Sequence, residues 1–432
     1  MRMSKVVMAA WLCRTSMAFV SRTTVRKAST TTSPTTTIAR SNHNLYRTSR
    51  NYHLSHSQLF SVSNDIHADV QLGVSRIETL QTLLSRHGAP GSKGCKQPGD
   101  LEPVFVDSVS EQSPEETPEL ISDFLGVNEY VNLHPQLYPL AKSKSTGNLV
   151  CALRRAFADD AAEWYENSSN QPWPIVEAQV GGMGMRLLAL NSEHLMRRIV
   201  CECDFSGERV ELIDVYNEHL GKNLIADKGL DQPYETGEVE KLGYGVDKFV
   251  LLRVGPFPDI YETLALGHAE KSDESSALIT AEATNNKISG FASTFLFYAR
   301  LLSSFPNRQE ETRDAARMCL RMPLPSIGLT IDEFREVAIL GQIAKESDSD
   351  EEVIAKLQTM YEKMREHETD DPMAGGSNDM SPEQIALDQA NYLLDTAALT
   401  GAKWNEVRPK LAEIYKSVGR DDMADFVNLK TS

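Results

Sequence analysis

Apolar and polar positions follow two rhythms along this chain. In the first, short apolar blocks stand on either side of turn residues. Leu137–Ala141 and Leu149–Leu153 flank KSKSTGN, whose Gly147-Asn148 ends a polar turn, and this predicts a β-hairpin. Ile175–Val180 and Met185–Leu190 flank GGMG in the same way and predict a second hairpin. Between them, residues 156–165 have helical spacing. Asn191 and Ser192 are good helix caps, so Glu193–Cys201 reads as a helix with Leu195, Ile199 and Val200 turned inward.

In the second rhythm, apolar residues recur every three or four positions. It dominates from about residue 207, with helices expected over 259–270, 274–285, 290–304 and 308–321, the last ended by Pro323 and Pro325. Thr330–Glu333, Ser349–Glu352 and Ser381–Gln384 have capping-box spacing, in which the first side chain and the fourth satisfy each other's backbone N–H. Leu387, Ala390, Leu394 and Ala397 form one later stripe; Trp404, Val407, Leu411, Ile414 and Val418 form another, with Pro409 near the start of its helix. At the other end, Val70, Val74, Ile77, Leu80 and Leu84 suggest a short helix, and the Gly/Pro/Ser-rich residues 87–118 read as a mobile linker, so the ordered body is expected to open near Pro118.

The expected fold is mainly α. A small α+β unit at 119–206 precedes a helical domain at 207–365, an acidic linker at 366–380 and a C-terminal helical pair at 381–432. The segment FYARLLSSFPNRQEETRDAARMCLRMP suggests stacked helix pairs of the tetratricopeptide α-solenoid kind. No clean 34-residue self-similarity accompanies it, so an irregular helical bundle stays open.

Charge changes the picture at the N-terminus. Residues 1–64 carry nine Lys/Arg, no Asp or Glu, and 21 Ser/Thr, the composition of an organelle transit peptide. Val6–Cys13, after Arg2 and Lys5, is long enough for a signal-peptide core and too short for a membrane span; Ser16-Met17-Ala18 and Phe19 follow. Together these read as a bipartite plastid presequence over 1–64, with a mitochondrial presequence or a plain secretory signal before a disordered arm as the alternatives, and a short helix and flexible linker follow over 65–118. Residues 65–432 hold 35 basic and 61 acidic residues, a net of −26, which repels nucleic-acid phosphates and favours basic partners, or none at all. No later stretch is apolar enough to span a bilayer, which leaves room only for peripheral contact with a thylakoid. Six scattered cysteines make no disulfide framework and suit a reducing stroma.

The candidate chemistry is thin. Gly181, Gly182 and Gly184 lack dinucleotide-fingerprint spacing, Leu187 standing where the third glycine belongs, and no Gly-Lys-Ser/Thr makes a P-loop. They read as a hairpin turn. Glu193, His194, Cys201 and Cys203 are the residues around which an enzyme or a metal or redox site would form. A metalloprotease needs a second histidine, though, and zinc knuckles need wider, paired cysteines. Core packing is the plainer reading, so no catalytic, cofactor-binding or metal residue is assigned. The aromatic, Gly/Pro-punctuated GYGVDKFVLLRVGPFP could line a groove or be buried. Arg313, Arg317 and Arg321 lie at i, i+4 and i+8, a stripe that could clamp an acidic partner unless nearby carboxylates neutralise it.

The runs GNLVCALRRAF, PWPIVEAQVGGMGMRLLALNSEHLMRRIVCECDFSG, KLGYGVDKFVLLRVGPFPDIYE and RDAARMCLRMPLP resemble the plastid "low photosystem II accumulation-like" proteins of plants and algae, over roughly residues 120–340. That resemblance implies a helper in photosystem assembly, in the stroma or on the stromal face of the thylakoid, with photosystem subunits or assembly factors as partners. It carries no catalytic residue. Sequence and resemblance together predict a non-enzymatic scaffold that needs no cofactor.

Overall fold

A five-stranded antiparallel sheet, its strands side by side in chain order, is the frame on which the helices are laid. The computed structural model describes residues 70, 73–104, 130–156, 172–218, 220, 230, 232–288, 290–328, 330–370, 382–401 and 403–428. The presequence, most of the helix expected at 156–165, the Ser381 capping position and residues 371–380 of the acidic linker lie outside the described residues.

The strands are β1 (Leu101–Pro103), β2 (Leu137–Ser143), β3 (Leu149–Leu153), β4 (Ile175–Ala178) and β5 (Met185–Ala189). Both expected hairpins are present. Leu137 pairs with Leu153 across the first and Ala178 with Met185 across the second. The β2–β3 register slips by one residue between Pro139 and Ala141, where proline has no N–H for the ladder. The strands read as near-continuous apolar runs because both faces of the sheet are covered. Along β3, Val150 and Ala152 enter one core, while Leu149, Cys151 and Leu153 enter another.

Helix α1 (Ile77–His87) precedes the sheet and packs against β1 and β2. Its Leu80, Leu83 and Leu84 are fully buried, each a gain of about 1.5–3 kcal/mol over exposure. Gln81 Nε2 donates to the carbonyls of Val104 (3.2 Å) and Leu140 (2.9 Å). The expectation of a body opening near Pro118, with 87–118 a mobile linker, is corrected here: residues 88–104 carry a strand and a closely held loop. A Gly/Pro/Ser-rich composition suits a fixed tight loop as well as a loose one, and only long-range contacts decide between them.

After β5 the chain is helical: α2 (Ser192–Ser206), α3 (Glu211–Glu218), α4 (Glu238–Leu242), α5 (Val246–Arg253), α6 (Pro258–Glu270), α7 (Glu274–Lys287), α8 (Ala292–Ser303), α9 (Gln309–Cys319), a 3-10 turn (Leu324–Ser326), α10 (Ile331–Leu340), α11 (Asp350–Asp370), α12 (Pro382–Thr400), α13 (Trp404–Lys416) and α14 (Asp421–Asn428). The fold is mainly helical with a small antiparallel sheet near the N-terminal side, as the sequence predicts. Asn191 caps α2 by accepting from the His194 N–H at 2.8 Å. Ser349 and Glu352 form a full capping box, each side chain meeting the other's N–H (3.3 and 2.9 Å). Residues 366–370 of the expected linker continue α11. Pro409 lies well inside α13, beyond its first turn.

Consecutive helices pack in order: α6 on α7, α7 on α8, α8 on α9, α13 on α14. The C-terminal helices return to the sheet, since Leu394, Trp404, Leu411 and Phe426 share one core with Val150, Ile175 and Leu188. Among the described residues, no helix is long and apolar enough to cross a membrane.

Candidate functional site

Glu193, His194, Cys201 and Cys203 all lie on α2, and the structure commits each to the fold. Glu193 is completely buried. Its carboxylate accepts from Ser75 Oγ (2.5 Å), Arg76 Nε (2.9 Å) and Arg76 Nη2 (2.5 Å). Arg76 also donates to the Tyr216 carbonyl (2.6 Å), and its guanidinium lies 4.5 Å from the Tyr216 ring centroid. Burial works against the charge on Arg76, but the hydrogen bonds and charge of Glu193 more than reverse that effect. The backbone of Arg76 is left-handed (φ +51°), a conformation that costs a non-glycine residue about 1–2 kcal/mol. The ion pair holds it there.

The ring of His194 lies against Gly255, where a Cβ would come within 2.6 Å of it, and 6.4 Å from the Phe257 ring. Cys201 and Cys203 are buried, and burial pushes both thiols up to about 12, far from the depressed values of reactive cysteines. Among the described residues no three His, Cys, Asp or Glu side chains are placed to hold a metal ion. The four residues therefore do not converge on one point.

The GGMG segment is a hairpin turn with a second role. Gly181 takes positive φ (+69°), as the turn requires. At Gly184 the reason is close approach: an added Cβ would stand 0.9 Å from the Gly328 carbonyl oxygen. Trp404 Nε1 donates to the Gly182 carbonyl at 3.2 Å. Two distant parts of the chain thus rest on this turn.

The arginine stripe is only partly available. Arg313 pairs with the adjacent Asp314 (3.1 Å), and Arg317 Nε donates to the Gly341 carbonyl (2.9 Å) while its side chain stays exposed. Arg321 falls just past the end of α9.

Sequence reasoning missed the junction between sheet and helices. Glu177, buried in β4, accepts from the backbone N–H groups of Lys93 (2.7 Å) and Gly94 (2.7 Å) and from Asn148 Nδ2 (2.6 Å). It thereby fixes the loop before β1. Lys93 Nζ reaches Glu333 (2.7 Å), and Arg198 grips Asp259 with two bonds (2.7 and 2.6 Å) at the start of α6. The available signal was a lone acid inside the apolar run IVEA, which demands buried donors.

What remains for partners is surface. Tyr244 (62% exposed), on the turn between α4 and α5, and Leu252 (66%) and Ile279 (64%), on helices that follow α2, stand out. An arrangement of this kind can bind.

Comparison with known proteins gives the chain its relatives. Residues 258–344 match the family model described as PAB middle domain, and residues 357–430 match PAB C-terminal domain. The chain is 31% identical over 297 residues to "Protein IN CHLOROPLAST ATPASE BIOGENESIS, chloroplastic" of Arabidopsis thaliana, covering 68% of this chain and 78% of that protein. No solved structure matches it.

Proposed function

We propose, from the premise that the chain belongs to the family of the chloroplast ATPase biogenesis protein, that it is a plastid assembly factor acting by binding rather than by catalysis. The observation that carries this reading is the relative itself, matched over most of its length and named for biogenesis of an ATPase in the chloroplast. The presequence composition of residues 1–64 supports the same compartment, and the protein is taken to work in the stroma or at the stromal face of the thylakoid.

The client is the chloroplast ATPase, in preference to the photosystem II subunits that the sequence resemblance suggested. The matched relative's name supports that choice, and nothing in the comparisons speaks for photosystem II. Partners are held on the helical surface through exposed apolar side chains rimmed by charge. Arg313, Arg317 and Arg321 are kept as a secondary contact for acidic groups, with Arg317 the most exposed of the three.

The test is capture of the tagged chain from gently solubilised plastids, with its companions identified by mass spectrometry. Enrichment of ATPase subunits over a control bait supports the reading. Enrichment of photosystem II subunits alone replaces the client, and enrichment of neither removes the assembly role.

A further inference from the structure

Residues 241–253 carry one face that the fold does not use. Helix α4 ends at Leu242, α5 begins at Val246, and Gly243-Tyr244-Gly245 joins them. Both glycines have positive φ (+73° and +81°), which a residue with a side chain adopts only under strain. The backbone of this turn is therefore specified, and Tyr244 stands on it 62% exposed. Lys248 and Leu252 follow at successive four-residue steps, so they share one side of α5, and Leu252 is 66% exposed. Phe249 and Val250 of the same helix are buried in the main core. Helix α5 thus presents an apolar side chain outward, at Leu252, as well as inward.

The charges here are also unusual for this chain. Lys248 and Arg253 are exposed and have no ion pair or hydrogen bond among the described residues. By contrast Arg198, Arg300, Arg308 and Arg335 are each closed on carboxylates. Lys241 makes one loose exposed contact, 3.4 Å, with Glu235. Across 241–253 there are three cations and one carboxylate, Asp247, in a chain whose residues 65–432 carry a net charge of −26.

We infer that the Tyr244–Lys248–Leu252 face is the docking surface for a partner segment that is apolar at its centre and acidic at its rim. The inference rests on the assembly-factor reading for the existence of a partner, and it goes beyond that reading by naming the surface and the chemistry that fits it. The face lies before residue 258, outside both matched domains. A tyrosine held on a fixed turn anchors an interface at low entropic cost, and unpaired cations beside it select carboxylates. Screening over about 8 Å confines the repulsion of the acidic body to charges near the contact. A narrow protein segment touches this face alone. An anionic bilayer would press on a wider area of acidic surface, which favours the protein partner.

The test titrates the full chain with a synthetic helical peptide of about 18 residues, five turns, bearing Leu on one face and Glu on the other. A counterpart carries Lys in place of Glu. The Glu peptide is expected to bind, with affinity falling as salt rises. Tyr244→Ser and Leu252→Ser, both at exposed positions, are each expected to weaken it at least about tenfold. The paired change Lys248→Glu with Arg253→Glu should shift preference to the Lys peptide. Equal binding by the variants, or dependence on the same side chains with the Lys peptide in the wild-type chain, overturns the inference. So does retention of the chain on phosphatidylglycerol vesicles through these residues without binding of the Glu peptide; that result assigns the face to lipid. Absence of ATPase subunits from the plastid capture, with peptide binding intact, removes the client and leaves the face.

Discussion

Arg76 and Glu193 lie 117 residues apart in sequence and meet as a fully buried, two-bonded ion pair, Nε to Oε1 at 2.9 Å and Nη2 to Oε2 at 2.5 Å. The pair joins the segment before α1 to the first turn of α2. Removing one partner leaves an unpaired buried charge. Glu193→Leu or Arg76→Met alone is expected to cost about 3–5 kcal/mol, and the double variant less than the sum of the two. Urea unfolding of the four proteins measures this. Strict additivity would mean that the two charges do not depend on each other.

The loop before β1 gives a second expectation. Glu177→Gln keeps the shape but loses the charge that its three donors address, and it turns an amide N–H₂ toward one of them. A loss of about 2 kcal/mol is expected. Amide exchange at Lys93 and Gly94 should accelerate, because their N–H groups bond directly to the carboxylate. Unchanged protection at those two amides would show that the loop holds itself.

Two glycines of one turn should respond differently. Gly181→Ala meets no atom within 4 Å and carries only the cost of positive φ, about 1 kcal/mol. Gly184→Ala collides with the Gly328 backbone and should cost about 3 kcal/mol or more, since neither chain can move alone. Thermal unfolding of the two variants compares them directly. A similar loss for both would mean that the approach of residues 324–328 to the turn is not needed.

The thiols of α2 should be silent in the native protein. With Cys201 and Cys203 pushed up to about 12, roughly one in 10⁴ is thiolate at pH 8. Iodoacetamide is expected to modify them only after denaturant is added, and peptide mapping reads the outcome. Rapid labelling of Cys201 in the folded chain would revive a redox role.

Asp259 sets a pH dependence. Burial opposes its ionisation, but the hydrogen bonds and charge of Arg198 outweigh burial and hold the carboxyl below its usual range. A depressed folded value means that the stabilisation is complete above the unfolded value, near 3.9, and is lost as pH falls through the folded one. Asp259→Asn should therefore cost about 2 kcal/mol at neutral pH, a penalty that shrinks as pH drops below about 4. Acid-unfolding curves of both proteins give the difference, and a gap that stays constant down to acid pH would remove Asp259 as its source.

The parts of this fold legible in the sequence are those made by near neighbours. Turn chemistry at Gly147 and at the GGMG segment places both hairpins, and Asn191 starts α2 through its own side chain. Thr330 shows where local rules stop. Its hydroxyl accepts from the Glu333 N–H (3.4 Å), but Glu333, expected to reach back and complete the box, is turned toward Lys93, 240 residues away. The same holds for α1 and β1, whose place in the core depends on residues far along the chain. Glu193 stood out as an acid on a helix that also carries cysteines, yet nothing in its surroundings points to Arg76. The exposed face at Tyr244 was visible as an aromatic, glycine-flanked segment; which side of it faces water was not.

Arg408 is buried on α13, and burial pushes it down to about 10, so it is still charged at neutral pH. Its guanidinium donates to the carbonyls of Tyr130, Val131, Leu133 and Val427, the first three of them 275 to 278 residues upstream. A chain made or delivered N-terminus first leaves those carbonyls unanswered until its last helices arrive. Loop closure over such a span comes late and slowly. Completion of the body is thus gated by its tail, and a copy cut short before α13 lacks the group that seals the segment leading into the sheet. One side chain thus ties the last helices to the segment that leads into the sheet.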